Sequence, residues 1–517
     1  MQHLVRRAAA LAGAGALTLA AVTGVATPAH ADTDQGPARA AAAWMIANLG
    51  PDGLLPGWGG SGDLGMTLDL GSELVAVGGF DDDVSAIADL LETDGPAWTV
   101  NGTKGSSTAK ALAFTSDAGV DAQLGAVDLT AAIEGMVIDT GASTGRIDDA
   151  PGGYDSTWTQ IWSVKGLVAR GSAKATEAVD YLVSQQCADG WFRDALPTDL
   201  DADQSCVSDA TASAGLDTTA LAVLNLAPYV DSTPALAPVV EKAADWLVTQ
   251  QGADGSYSDP WMGPNANTTG LAAWALDAAG EDAAAARSAI WLRSLQVAGE
   301  CSAALGAEAG AIAYTPTELA DAADGITPEG RGQWIMVGSQ AIPGLLAAPS
   351  ATRTPTVQAP DFAKAGGTVT ARVGGLAPGE RACLTTPAGA QQLTGTNSDL
   401  TPAVPAASAG TLTLTLRTTD GSTSASTVVL GKTTLKVKPA KKKVKKGKRV
   451  KVTVKGLAAG ERVTVTVKGV KKKVRGTANA RGVFTAKVKA PKKKGKTKIK
   501  ATGLYGNRKG VAKVTVR

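Results

Sequence analysis

The stretch Tyr181-Leu-Val-Ser-Gln-Gln-Cys-Ala-Asp-Gly-Trp191 returns, almost copied, as Trp246-Leu-Val-Thr-Gln-Gln-Gly-Ala-Asp-Gly-Ser256-Tyr257, about 65 positions later. Each copy has an aromatic-Leu start, a Gln pair, an Asp-Gly turn and an aromatic after it. Self-similarity at this period marks a repeat architecture, in which one supersecondary unit buries its apolar face only against its neighbours.

Between residues 35 and 347 the apolar spacing is helical, in short Ala-rich runs broken by Gly, Pro and Asp. It predicts twelve helices in six pairs. First members run near 36–49, 81–92, 121–138, 173–187, 234–251 and 281–297; second members start near Leu68, Ser107, Ser156, Thr218, Thr268 and Gln333. Thr67, Asp155, Asp217 and Asn267 stand where N-caps belong. Second members such as Leu216–Leu226 are apolar all round and belong inside; first members carry charges and belong outside.

The aromatic-Leu-x-x-x-Gln pattern followed by Gly and an aromatic resembles the QW motif of squalene and terpene cyclases. More broadly, about 310 residues resemble the α/α toroid superfamily, which includes prenyltransferase β chains, thioester domains and cobalamin carriers. The resemblance implies a six-hairpin toroid whose parallel inner helices gather their N-termini at one mouth. Convergent helix dipoles would favour a ligand there. The loops at that end would bring Trp58, Trp98, Trp191, Tyr257, Trp261 and Tyr314 to the mouth. In QW motifs the aromatic also stacks on its own repeat's Gln, which is a stitching role for Trp191 and Tyr257. Trp261, Asn267, Tyr314 and Trp334 are the ligand-binding candidates, although Trp334, like Trp158, Trp162 and Trp274, also reads as inner-helix core.

The superfamily's catalytic signatures do not appear. There is no Asp-x-Asp-Asp tetrad; Asp81-Asp82-Asp83 instead opens an outer helix, where acids suit the dipole. Aromatic residues are only 4% of the chain, which is poor for a carbocation pocket. No Cys-Gly-Glu-Gln thioester motif occurs. Asp155 and Asp217 remain as a candidate acid pair for glycan chemistry, and each also fits a capping role. Asp199-Leu-Asp201-Ala-Asp203 alternates acids as calcium ligands do, without the Gly and Glu of an EF-hand; no other cofactor is expected.

Past Pro349 the composition changes. Residues 349–356 read as a linker, 357–435 as one Ig-like β-sandwich and 436–517 as a second, Lys-rich one. Val369–Arg381 returns in register as Val450–Arg462. Charge divides along the same lines. Residues 32–351 carry 12 Lys and Arg against 43 Asp and Glu, a net of −31; residues 432–517 carry 31 against one, a net of +30. Lys dominates and aromatics are scarce there, which disfavours nucleic-acid readout. The pattern fits attraction to an anionic cell-wall polymer or acidic glycan.

Residues 1–31 read as a secretory signal, with Arg6 and Arg7, a small apolar run, and Ala29-His30-Ala31 as the cleavage site. No later segment is apolar enough to span a bilayer. Cleavage removes His3 and His30, the only histidines, and with them any Ser-His-Asp triad or His-ligated metal. In an exported chain Cys187 and Cys206 are placed to close the loop between them. Cys301 and Cys383 either pair, pinning the first β module to the toroid, or stay as thiols. The sequence favours a secreted, envelope-associated binding protein. An enzyme of the toroid superfamily (a divergent cyclase, or an acid-pair hydrolase or lyase) and a structural spacer are the alternatives.

Overall fold

Short Ala-rich helices alternate between half-buried and almost wholly buried, and the alternation builds two concentric layers. The computed structural model describes residues 32–57, 59–149, 156–259 and 262–517; the expected signal 1–31 and the candidates Trp58, Asp155 and Trp261 lie outside them. The outer layer is α1 (Gly36–Ala47), α3 (Asp81–Trp98), α5 (Leu129–Glu134), α7 (Ala175–Ser184), α9 (Ala237–Gln250) and α11 (Asp282–Leu295). The inner layer is α2 (Leu64–Val77), α4 (Gly105–Ala118), α6 (Thr157–Ala169), α8 (Leu216–Leu226), α10 (Ala266–Ala279) and α14 (Arg331–Ala341). Two short helices, α12 (Ala303–Gly306) and α13 (Pro316–Asp321), interrupt the last crossing. Each inner helix packs on the next, and α14 packs back on α2, so the ring closes. This is the six-hairpin α/α toroid expected from the repeats. The third outer helix is shorter than the spacing predicted, because Gln123–Leu124 and Val127–Asp128 pair as a hairpin about Gly125.

The repeat stitches the outer layer. The Gln186 amide donates to the Val239 carbonyl at 2.9 Å, Gln251 to Ala284 at 2.8 Å, and Gln296 to Pro37 at 2.8 Å. Each glutamine thus leaves one outer helix and donates to a first-turn carbonyl of the next, and Gln296 joins the last to the first. The turn glycine makes the same step. Gly255 has φ +94°, and a Cβ there would lie 2.3 Å from the Arg287 carbonyl oxygen; Gly145, Gly190 and Gly310 face the next outer helix in the same way. Only a residue without Cβ permits that approach.

The repeat's buried aromatic is displaced from the sequence expectation. Phe192, not Trp191, matches Tyr257. Both are two residues past the glycine, both are buried, and their N–H groups donate to Thr219 and Thr269 at 2.9 Å. Leu55 donates to Thr67 at the same distance. These threonines occupy the fourth position of their inner helices.

The expected N-caps shift for that reason. Helices α2, α8 and α10 begin before Thr67, Asp217 and Asn267. Their N-cap positions are Asp63, which accepts from Met66, Gly215, and Asn265, which accepts from Thr268; Ser156 caps α6. Asp217 and Asn267 are second-position residues whose side chains are left for other partners.

The two β modules are separate sandwiches, each with its own apolar core. The first begins with Thr356–Gln358 on Arg372–Gly374 and is dominated by a five-stranded sheet containing Gly410–Thr418 and Gly421–Leu430. The second opens already at Thr433–Thr434, which pairs in parallel with Arg508–Lys509. Their sequence repeat is a structural repeat. Glu380 accepts from the Ala377 N–H at 2.7 Å and Glu461 from the Ala458 N–H at 2.8 Å, each carboxylate closing its own turn.

The first sandwich is pinned to the toroid. Cys301 and Cys383 form a disulfide with Cα atoms 5.0 Å apart. Beside it Arg381 binds the buried Glu300 carboxylate at 2.9 Å and Arg417 donates to the Glu300 carbonyl at 3.1 Å. The pairing left open by the sequence is therefore made. Cys383 points away from its own sandwich core and is buried against the helical layer.

Candidate functional site

Three places carry chemistry: the mouth, the centre of the toroid and the Lys-rich sandwich. At the mouth the first turns of α6, α8 and α10 lie side by side. Trp158 Nε1 donates to the Thr218 hydroxyl at 2.7 Å, and Thr218 in turn donates to Asp194. Asp217 is next to it, bonded to Thr268, with Asp259 and Asp194 nearby. Burial lifts the Asp217 carboxyl to about 6; the neighbouring acids add to the rise and the Thr268 hydroxyl opposes it. Its Oδ1 is buried without a hydrogen bond. Tyr314 belongs to the same cluster, its phenol pushed up by burial and by Asp259 and Asp217. Its backbone carbonyl accepts from Ala266 at 2.9 Å.

The structure therefore brings Asp217 and Tyr314 together. Asn267 lies one residue before Thr268, donating to Gln340 Oε1 at 2.6 Å with its own Oδ1 unbonded. Trp334 is core, 2% exposed. Between the starts of α2 and α14 lies a cleft of about 420 Å³ lined by Pro56, Met66, Arg331, Gln333 and Met336.

The centre of the ring holds a cavity of about 80 Å³ walled by all six inner helices. Trp158, Trp162 and Trp274 line it, and Trp158 meets Trp162 edge-on with centroids 5.8 Å apart. Lys110 binds Asp69 at 2.7 Å and stands 5.0 Å over the Trp162 ring; Lys165 binds Asp117 at 2.7 Å. Glu73 is 1% exposed, and neither carboxylate oxygen has a partner. Burial, then the Asp69 charge, raises its carboxyl well above the ordinary range. Sequence reasoning missed this group. The signal was present: acids four residues apart, Asp69 and Glu73, interrupt a helix that is otherwise built to be buried.

The loop between Cys187 and Cys206 is closed by their disulfide, with Cα atoms 4.8 Å apart. Inside it Asp199 accepts from the Asp201 N–H, and Asp203 accepts from the Ser205 N–H and the Ser208 hydroxyl. Among the described residues no three His, Cys, Asp or Glu side chains converge as a metal site.

The Lys-rich sandwich presents bare cations. Across its three-stranded sheet Lys436 stands opposite Lys455, Arg449 opposite Lys489, and Lys451 opposite Lys487. On the other sheet Lys498 stands opposite Lys513. All eight are exposed. Like charges directly opposed across strands destabilise a sheet.

No protein-family model matches the chain, and no curated protein does. Solved structures similar to it include a protein from Actinoplanes, at 17% identity over 61% of this chain and 99% of that one, TM-score 0.41. Another is the apo type II terpene cyclase MstE from Scytonema, at 16% over 60% and 96%, TM-score 0.39. The Yersinia pseudotuberculosis adhesin InvE matches at 18% over 32% and 58%, TM-score 0.18. The chain's own geometry defines its class: a closed α/α toroid followed by two Ig-like sandwiches. Among the described residues no helix is long and apolar enough to cross a membrane.

Proposed function

We propose that this is an exported, envelope-associated binding protein. Its Lys-rich sandwich, 436–517, attaches to an anionic wall polymer or acidic glycan, and its toroid offers a ligand or partner site at the mouth. The observation that carries this reading is the row of opposed cations, Lys436–Lys455, Arg449–Lys489 and Lys451–Lys487. A sheet that needed only solubility would intersperse acids, and this one gives up stability to keep a single sign. Two disulfides fit an oxidising compartment. The test is sedimentation of the full chain with isolated cell walls before and after phosphate polymers and uronates are stripped. Binding that falls with stripping and with added salt supports the reading; equal binding to stripped walls overturns it.

One observation favours an enzyme of the toroid superfamily instead. Asp217 is a carboxylic acid titrating at about 6 in a largely buried mouth, which suits general acid or base work. Against a polyprenyl substrate at the ring's centre stands the room there, about 80 Å³. A cavity that takes benzene has about 150 Å³, so this space holds only a few heavy atoms without opening further.

A further inference from the structure

We propose that the centre of the toroid binds a small organic monocation, an ammonium whose charge meets the Glu73 carboxylate and whose carbon shell lies on Trp158, Trp162 and Trp274. The site shares Trp158 with the mouth, lies deeper in the ring, and does not depend on what the basic sandwich binds.

Four observations converge. Glu73 is almost wholly enclosed and its two oxygens are unpartnered, whereas buried carboxyls are ordinarily hydrogen-bonded or paired. The remaining charges on the wall cancel: Asp69 with Lys110 and Asp117 with Lys165, both at 2.7 Å. Glu73 is thus the acid left over: once ionised it leaves the wall one negative charge, which a ligand of charge +1 neutralises and an anion or a neutral guest does not. The aromatic surface suits a cation, since Lys110 already stands 5.0 Å over the Trp162 face. Finally, the space of about 80 Å³ suits a compact methylated ammonium rather than a prenyl chain.

Binding carries a proton balance. The titratable groups that line the cavity with Glu73 are Asp69 from α2, Lys110 and Asp117 from α4, and Lys165 from α6. Burial and Asp69 favour protonated Glu73 in the empty cavity. An ammonium favours the carboxylate, so its binding releases the Glu73 proton to solvent, and affinity rises with pH until Glu73 is ionised in the empty protein.

The test is titration of the full chain with tetramethylammonium chloride, read by tryptophan fluorescence and by calorimetry in two buffers of different ionisation enthalpy. Sodium chloride at matched ionic strength and tert-butanol, a neutral molecule of similar size, are the controls. The expected result is saturable binding with proton release, no saturation by either control, and a Kd raised at least about tenfold in Glu73→Gln. An equal response to tert-butanol, or an unchanged Kd in folded Glu73→Gln, overturns the proposal. Should Glu73→Gln fail to fold, Trp162→Leu is read instead: a Kd raised several-fold supports the site and an unchanged one overturns it. Wall sedimentation of the same protein is a separate readout, so failure here and failure of envelope attachment are distinguishable.

Discussion

Glu461 binds Arg508 through both carboxylate oxygens, each at 2.7 Å. Glu461 is the only acid among residues 432–517. It is wholly buried, and burial alone would raise its carboxyl; the Arg508 bonds and the Ala458 and Leu504 N–H groups outweigh that and hold it below the ordinary range. The module's one acidic side chain is therefore spent inside, on a single arginine, and every other cation is left without an Asp or Glu from its own module. In the first sandwich the matching Glu380 has no such partner, and burial raises its carboxyl. Thr427 stands in the register position of Arg508.

Gly255→Ala tests the stitching. Its Cβ would meet backbone at 2.3 Å, and φ is +94°. Differential scanning calorimetry should show a loss of about 2–4 kcal/mol, the range of forced overpacking plus a strained left-handed residue. Ser256→Ala next to it should cost less than that.

The fold was legible because its signals are local in the chain and repeated, although the bonds they make are not. The Gln pair and the Asp-Gly turn recur whole in Gln185–Gly190 and Gln250–Gly255, and the spacing of the inner helices is equally local. What was not legible depended on neighbours far along the chain. Phe192 rather than Trp191 fills the repeat because Thr219, 27 residues on, takes its N–H. Glu73 is isolated because Lys110 and Lys165 each already hold another acid, and no local pattern reports that competition. At the mouth, Tyr314 was named as a loop aromatic from the toroid resemblance, and Asp217 and Asn267 through a capping argument that placed each two residues past the true N-cap.

The Cys301–Cys383 bond should tie the first sandwich to the toroid. Replacing both by Ser removes about 2–4 kcal/mol of stabilisation. Limited proteolysis should then cut within 350–355 faster than in the native chain. Glu300→Gln in addition should accelerate cleavage further, since Arg381 loses its buried partner.

Glu73 makes stability depend on pH with a definite sign. Its folded carboxyl lies above its unfolded value, so the folded state holds the proton over that window. Its contribution is most favourable below about pH 4 and is lost as pH rises through the folded value. Thermal melts of Glu73→Gln should match the native protein near pH 4 and exceed it at neutral pH, where native Glu73 must lose its proton in a buried site and the neutral amide has none to lose.

Asp217→Asn separates catalysis from structure. With the carboxyl titrating at about 6, its proton is held between the unfolded value and that pH, so the native protein loses stability as pH rises through 6. The variant should melt higher than native at pH 8 and no lower at pH 5. Loss of a turnover at unchanged or higher melting temperature would assign Asp217 to an enzyme.

The most direct test of envelope attachment reverses one member of each opposed pair on the three-stranded sheet: Lys436→Glu, Arg449→Glu and Lys451→Glu together. Each reversal turns two facing cations into an ion pair, worth about 0.2–1 kcal/mol across a strand pair. The measurement is the affinity of the full chain for a polyglycerol phosphate at several salt concentrations, with the melting temperature of the same sample. A higher melting temperature is expected, with binding weakened at least about tenfold at low salt and a shallower salt dependence. Unchanged affinity in a folded variant would contradict envelope attachment through this sheet.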